Sequence, residues 1–480
     1  EALEMSFIIR HFESLSDQAS LYFGQPLLFK KTEFYMIPSR YNQISPVKEN
    51  IYAIYNPLSG AFDLAASGEK ERFEKGWARD EAEKEYWINR GYYFENSASE
   101  EAYIKKRYQD FLEESENNGV QFLLVLSYGC NFHCPYCYQK DMAGPGNLIS
   151  LEMIEAFFRF VLNYRLRERK EVYVTLFGGE PLSPAYRKEL VHIVKLAALH
   201  KIPLSVVSNG YYLKEYLPLL SQAVIHEIQV TLDGDEELHN KRRYAREGEN
   251  SFDKILSGVK EAARLSLPIH IRLMIDKQTL PTLPGLALKL DEAGLLDLPP
   301  HLFKTSLGRN YELIDSYSGK QDIYALDEMY GAYALLMKRE PLVQKLYNPG
   351  FFGIKNMVLR QEMYLPSFDT CPAGKSEFVF DNSGKIYGCT ASCGREGYEL
   401  GEYYPKLVLN EGALKEWKSR NILTIPECRD CSVGVVCGGG CGVIAKNTHG
   451  KVLAPDCKPI KNIFDTGIAF YEEEILKLLD

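Results

Sequence analysis

The 480-residue chain has no cysteine in residues 1–129 and none in 138–370, so its eleven cysteines fall into two groups, three within 130–137 and eight within 371–457. It also lacks any run approaching 18 unbroken apolar residues, and no basic-then-apolar stretch opens it. Both absences argue against a helical membrane span or a secretion signal, and the expected location is the cytoplasm. Positive charge is not in excess: 56 Lys and Arg stand against 65 Asp and Glu, a net charge of −9. That balance argues against a protein that follows nucleic-acid phosphates. Disulfide scaffolds belong to short secreted chains, so in a reducing compartment the two cysteine groups are expected to be metal sites. Hydrophobic content of 45% and charged content of 25% describe an ordinary globular protein. The length calls for two or three domains.

Residues 1–115 carry strand patterns at Phe34–Pro38 and Asn50–Asn56, with turn chemistry at Asn56–Gly60 and a further strand through Ala61–Leu64. Charged segments with helical spacing follow at Gly68–Lys75, Asp80–Arg90 and Ser99–Glu114. Together these predict a small α+β, winged-helix-like domain. It would either bind a peptide along a strand edge or cap the next domain. From about residue 118 the pattern changes to strands separated by helices. Strands are expected at Phe122–Leu126, Val172–Phe177, Leu204–Val207, Ile225–Leu232 and Ile269–Ile275, with a weaker one at His301–Lys304. Helices are expected near 150–167, 184–200, 212–222, 252–265 and 282–294. That alternation implies an α/β fold, a partial (β/α)6 TIM-like barrel over residues 116–308, with its chemistry at the C-terminal strand ends. Residues 309–370 form a Tyr-rich bridging region, and residues 371–480 a cysteine-rich C-terminal domain ending in a helix.

The informative motifs lie at those strand ends. Cys130, Cys134 and Cys137 follow the first strand at spacings of four and three. A cubane cluster asks for four thiolates, so three would leave one iron open to a small molecule. Zinc or unrelated buried cysteines are the alternatives for the motif alone. After the second strand, Gly178-Gly179-Glu180-Pro181 lets the backbone approach a ligand, and Glu180 can accept from an ammonium group. Ser208-Asn209-Gly210 ends the third strand, and Leu232-Asp233-Gly234 the fourth. Arg243 can hold a carboxylate bidentately, and Ser251 is a candidate N-cap for the next helix. In the C-terminal group Cys371 is followed by Gly384 and Cys389, then by Cys428, Cys431, Cys437 and Cys441 as CxxCx5Cx3C, and last by Cys457. A zinc ribbon is the competing reading of that block.

Together these residues resemble the radical S-adenosylmethionine superfamily and, within it, the peptide-modifying maturases with a C-terminal SPASM domain. The resemblance spans about residues 118–460. It rests on Cys130, Cys134, Tyr136 and Cys137, on Gly178–Pro181, Ser208–Gly210 and Leu232–Gly234, and on His239, Arg243, Gly248, Ser251 and Phe252. Asn240 and Asn250 depart from the family's Asp and Gly. The resemblance implies that Cys130, Cys134 and Cys137 hold a [4Fe-4S] cluster that binds S-adenosylmethionine. Reductive cleavage would give a 5′-deoxyadenosyl radical that abstracts hydrogen from substrate. Gly178, Gly179 and Glu180 would engage the methionine amino group, Ser208 and Arg243 its carboxylate, and Tyr136 the adenine, with Asn209 in the same binding set. Two auxiliary [4Fe-4S] clusters are implied, one on Cys371, Cys389 and Cys441, the other on Cys428, Cys431, Cys437 and Cys457. No cysteine lies between Cys371 and Cys389, where some relatives place the fourth ligand of the first auxiliary cluster. The eleventh cysteine, Cys393, is the expected substitute, and an open iron the alternative.

The resemblance implies a precursor peptide with a leader sequence as partner, bound through residues 1–115. It also implies a flavodoxin- or ferredoxin-type reductant, with neither nucleic acid nor membrane involved. The expected reaction installs a thioether or other cross-link in a ribosomally made peptide. A sulfatase-maturing enzyme that makes formylglycine is the first alternative, but such enzymes carry Asp after the cysteine matching Cys389, and here Thr390 follows it. A non-enzymatic iron–sulfur electron carrier is the second. The glycine turn and Arg243, which serve S-adenosylmethionine binding, argue against it.

Overall fold

The structure is a computed structural model and describes residues 36–139, 142, 148–245, 250–309, 320–360 and 365–479. Residues 1–35 of the expected N-terminal domain, with Phe34 and Tyr35, lie outside the described residues, as does Gly248.

Six parallel strands form the middle of the molecule: Val120–Val125, Val172–Phe177, Leu204–Ser208, Ile225–Leu232, Ile269–Met274 and Phe303–Gly308. Each is followed by helix, notably Leu151–Glu168, Arg187–His200, Leu213–Leu220, Phe252–Arg264 and Leu283–Glu292. The helices cover one face of the sheet because alternate strand residues there are apolar. Phe122, Leu124, Val174, Leu176, Ile228, Val230, Ile271 and Leu273 share one core with Ile154, Phe157, Ile193, Leu217, Val259 and Leu286. The opposite, inner face carries polar groups. Gln121 donates to Thr175 at 2.8 Å, and His270 bridges Glu227 Oε1 at 3.0 Å and Ser306 Oγ at 2.6 Å. The last strand runs later than expected, because Lys304 and Ser306 face inward and break the apolar run that would have announced it.

The sheet does not end with the barrel. Glu377–Phe380 pairs in parallel with Val120–Val125, and Lys385–Tyr387, Glu399–Glu402 and Val408–Leu409 continue it antiparallel to a total of ten strands. The division at residue 371 therefore falls in sequence but not in the hydrogen-bonded sheet. The bridging region contributes helices Leu326–Arg339, Pro341–Leu346 and Ile354–Arg360.

The N-terminal unit is a three-stranded antiparallel sheet, Gln43–Lys48, Ile51–Asn56 and Ala61–Ala66, followed by helices Ser67–Lys75, Glu81–Asn89 and Ser97–Glu116. The first of these strands has no counterpart in the sequence reading, because Pro46 and Lys48 hide its alternation. The unit sits on the C-terminal region. The Tyr55 ring meets Phe464 edge-on at 5.2 Å, Ser45 donates to Asp465 at 2.5 Å, and Arg40 pairs with Asp430 at 2.6 Å. Among the described residues no helix is long and apolar enough to cross a membrane.

Candidate functional site

Three strand ends converge on the Cys130–Cys137 loop. Gly179 adopts φ +46°, and a Cβ there would lie 2.1 Å from the Gly129 carbonyl oxygen, so only glycine lets the two turns touch. The contact is fastened by Glu180 N–H donating to Gly129 O at 3.0 Å and by Gly179 N–H donating to Gln139 Oε1 at 3.2 Å. From the third strand end, the Asn209 amide donates to Asn131 Oδ1 at 2.7 Å. Phe132 N–H points at Cys130 Sγ at 3.4 Å. Burial pushes the Cys130 and Cys134 thiols up to about 12 and about 11. Cations at the site are therefore needed to hold them as thiolates.

Glu180 is fully buried. Its Oε1 accepts from Ser208 Oγ at 2.7 Å and Leu182 N–H at 2.9 Å, and its Oε2 from Asn209 N–H at 2.7 Å. Of about four lone-pair positions on a carboxylate, one on Oε2 is left for a ligand. The chief work of Glu180 is to tie the second strand end to the third. Ser208 also differs from expectation: its hydroxyl proton goes to Glu180 while its oxygen accepts from Gly210 N–H at 2.9 Å. In this arrangement it has no proton to offer a carboxylate.

The fourth strand end supplies a buried charge network absent from the sequence reading. Asp233 Oδ2 accepts from Tyr136 OH at 2.5 Å and Arg242 Nε at 3.1 Å, and Arg242 Nη1 reaches Asp276 at 2.6 Å. Arg243 Nη1 donates to the Tyr136 hydroxyl at 2.7 Å, so Tyr136 holds Arg243 in place and its hydroxyl is committed. Arg243 Nε, Asp233 Oδ1 and Asn131 Nδ2 are buried with no hydrogen-bond partner among the described residues. Such orphaned atoms are rare in folded proteins and mark a site built for a polar ligand. Two donors and a carboxylate acceptor fit the charged amino-acid end of S-adenosylmethionine. His239 is fully buried, accepts from Asp233 N–H at 3.2 Å, and is kept neutral by burial. Ser251 sits at the N-cap of helix Phe252–Arg264, but its hydroxyl donates to Arg243 O at 2.6 Å instead of capping. Asn240 does the capping: its amide oxygen accepts from Ser251 N–H at 2.9 Å and Phe252 N–H at 3.0 Å. An amide oxygen serves there as well as the family's carboxylate.

The C-terminal cysteines separate by their neighbours. Cys428 is pushed up to about 12 by burial and by the nearby Cys437, Cys431 and Cys457. Cys389 and Cys441 both feel Cys371. The glycines 438–440 all take positive φ, and fully buried Arg420 clamps their loop by donating to the carbonyls of Gly439, Gly440, Val452 and Ala454. Nothing in the sequence marked that arginine. Cys393 is fully buried, with Sγ 3.1 Å from Tyr128 OH, in an apolar cluster of Leu123, Val125, Val379 and Tyr387. Among the described residues no three or more His, Cys, Asp or Glu side chains converge tightly enough for a single metal ion.

Comparison with known proteins agrees with this arrangement. Residues 124–288 match the Radical SAM superfamily. Members of that superfamily are enzymes that bind S-adenosylmethionine at a [4Fe-4S] cluster. The chain is 29% identical over 164 residues to a GTP 3′,8-cyclase of Campylobacter jejuni, covering 33% of this chain and 48% of the relative. It is 25% identical over 154 residues to a probable GTP 3′,8-cyclase of Pyrococcus horikoshii, covering 32% and 46%. The chain thus spans about half the length of the curated relatives it matches. Among solved structures its fold is similar to native anSMEcpe with bound AdoMet and Kp18Cys peptide, with TM-score 0.55 and 18% identity over 75% of this chain and 98% of that one. It is also similar to Streptococcus suis SuiB bound to precursor peptide SuiA, with TM-score 0.52 and 14% identity over 88% and 99%.

Proposed function

We propose that this chain is a radical S-adenosylmethionine enzyme of the SPASM type that modifies a ribosomally made precursor peptide. One observation carries the reading: the cysteine loop, the glycine turn and Arg243 meet at the strand ends with unpartnered buried donors around them. In this reading Cys130, Cys134 and Cys137 hold the S-adenosylmethionine-binding [4Fe-4S] cluster. Gly178, Gly179 and the free Oε2 position of Glu180 receive the methionine amino group, and Arg243 receives the carboxylate. Tyr136 and Asn209 position Arg243 and the cysteine loop. When bound and reduced, the cluster supplies the electron that cleaves S-adenosylmethionine. The buried Asp233–Arg242–Asp276 network keeps Tyr136 and Arg243 rigid and water out.

Cys371, Cys389 and Cys441 on one side, and Cys428, Cys431, Cys437 and Cys457 on the other, are the proposed auxiliary sites. The neighbour relations among these thiols support that partition. Residues 1–115 are proposed as the peptide-recognition unit, 116–308 as the radical domain, 309–370 as the bridge and 371–480 as the auxiliary domain. Two features support a peptide substrate. The N-terminal sheet has edge strands at Gln43–Lys48 and Ala61–Ala66. A groove of about 450 Å³ runs along the first, lined by Gln43, Ile44, Tyr52, Lys70 and Lys461. The fold also follows SuiB, solved with a precursor peptide, over 88% of this chain. The GTP 3′,8-cyclase likeness covers only about a third of the chain and carries no argument about substrate. A flavodoxin- or ferredoxin-type protein is the proposed reductant.

The test is mass spectrometry of a precursor peptide encoded beside the gene, after anaerobic reaction with the enzyme, S-adenosylmethionine and reductant. A cross-link removes two hydrogens. Gain of an aldehyde identifies a formylglycine-forming enzyme, and an unchanged peptide with unchanged S-adenosylmethionine contradicts the proposal.

A further inference from the structure

The proposed cluster on Cys371, Cys389 and Cys441 has three thiols for four corners. The chain offers two candidates for the fourth, and the structure separates them.

Cys393 is fully buried, but its sulfur turns towards the barrel's first strand. It lies 3.1 Å from Tyr128 OH, which also donates to Asp381 at 3.1 Å, and packs among Leu123, Val125, Val379 and Tyr387. Its strongest electrostatic partners are Tyr128 and Asp381, ahead of Cys389. A thiol already satisfied by a hydroxyl and wrapped in apolar side chains is a packing residue. It fastens the Cys389–Gly394 turn to Tyr128, two residues before Cys130.

Glu377 is placed differently. It opens the strand Glu377–Phe380, between Cys371 and Cys389 in the chain. Its Oε1 accepts from Thr390 N–H at 2.8 Å, which sets the carboxylate against the residue next to Cys389. The charge Cys389 feels most is that of Glu377, ahead of Cys371. Glu377 is half-buried, and among the described residues it has no cationic partner. A half-buried carboxylate without a cation of its own keeps an oxygen available to a metal ion. Carboxylate oxygen is an established donor to iron.

We infer that the Glu377 carboxylate, and not the Cys393 thiol, is the fourth protein ligand of the cluster held by Cys371, Cys389 and Cys441. The inference rests on the auxiliary-cluster reading above. An oxygen ligand makes this corner distinct: it is the one auxiliary iron from which a soft thiolate can displace the protein's own donor.

The experiment is iron and sulfide analysis with low-temperature EPR of the full chain, reconstituted anaerobically, as wild type and as Cys393→Ala, Glu377→Ala and Glu377→Cys. The signal of the Cys130–Cys134–Cys137 site, read with and without S-adenosylmethionine, is the control for folding. Three clusters give about twelve irons per chain. Cys393→Ala is expected to keep them with an unchanged spectrum. Glu377→Ala is expected to alter one auxiliary signal and lose up to about a third of the iron. Glu377→Cys should restore full iron with a new, all-thiolate signal. Iron loss in Cys393→Ala overturns the inference, as do wild-type spectra from both Glu377 variants. The latter result would make the carboxylate a base or a packing group. A wild type holding only about four irons overturns the auxiliary-cluster reading itself, and the inference with it.

Discussion

Arg243 does two things a lysine could not do together. It donates to Tyr136 OH through Nη1 while its buried Nε has no hydrogen-bond partner among the described residues. The planar fork permits this, because its donors diverge in a fixed plane. Arg243→Lys should therefore weaken S-adenosylmethionine binding about tenfold to a hundredfold at unchanged iron content, as equilibrium dialysis would show. Asn240 presents a smaller case. Asn240→Ala removes the oxygen that caps helix Phe252–Arg264 and should cost about 1 kcal/mol, whereas Asn240→Asp should be nearly silent. Thermal unfolding of the two variants decides this. The glycine turn, the cysteine loop and Arg243 were all legible in the sequence because they are short motifs. Asp233's partner Arg242, the cap Asn240, the clamp Arg420 and the carboxylate Glu377 were not. Each acts on a residue far away in the chain or across a turn, and a single sequence does not show which distant residues meet.

At the scale of elements, the alternation of apolar outer and polar inner residues explains why the barrel strands and helices were readable to within a few residues. The inner face is also where reading failed. Lys304 and Ser306 obscured the sixth strand, and Glu377–Phe380 gave no sign that it would pair with the first. The chain Ser306–His270–Glu227, closed by Lys304, crosses three strands and holds the Glu227 carboxyl down at about 2. A carboxyl lowered on folding stabilises fully above its unfolded value, near 4.5, and loses that contribution as pH falls towards 2. Glu227→Gln should thus lower the melting temperature of the apoprotein at pH 6. The gap from wild type should close as the pH falls from about 4.5 towards about 2. A gap that stays constant with pH would show that the ion pairs contribute nothing.

In the whole molecule, the N-terminal sheet and the cysteine-rich region bear on each other through Tyr55 and Phe464, both fully or almost fully buried. Phe464→Ala should cost about 3–5 kcal/mol and speed proteolysis of the N-terminal unit before the barrel is cut, a sequence visible by gel and mass spectrometry. The ten-stranded sheet carries the same continuity to the other side, joining the strand that leads to Cys130 directly to the strand that opens with Glu377. One hydrogen-bonded sheet thus runs between the proposed S-adenosylmethionine site and the proposed auxiliary sites. The most direct test of the account is 5′-deoxyadenosine released from S-adenosylmethionine by the reduced, reconstituted chain under anaerobic conditions. Wild type should release it, and the triple variant Cys130→Ala, Cys134→Ala, Cys137→Ala should not. No release from wild type at full iron content, or equal release from both, would contradict it.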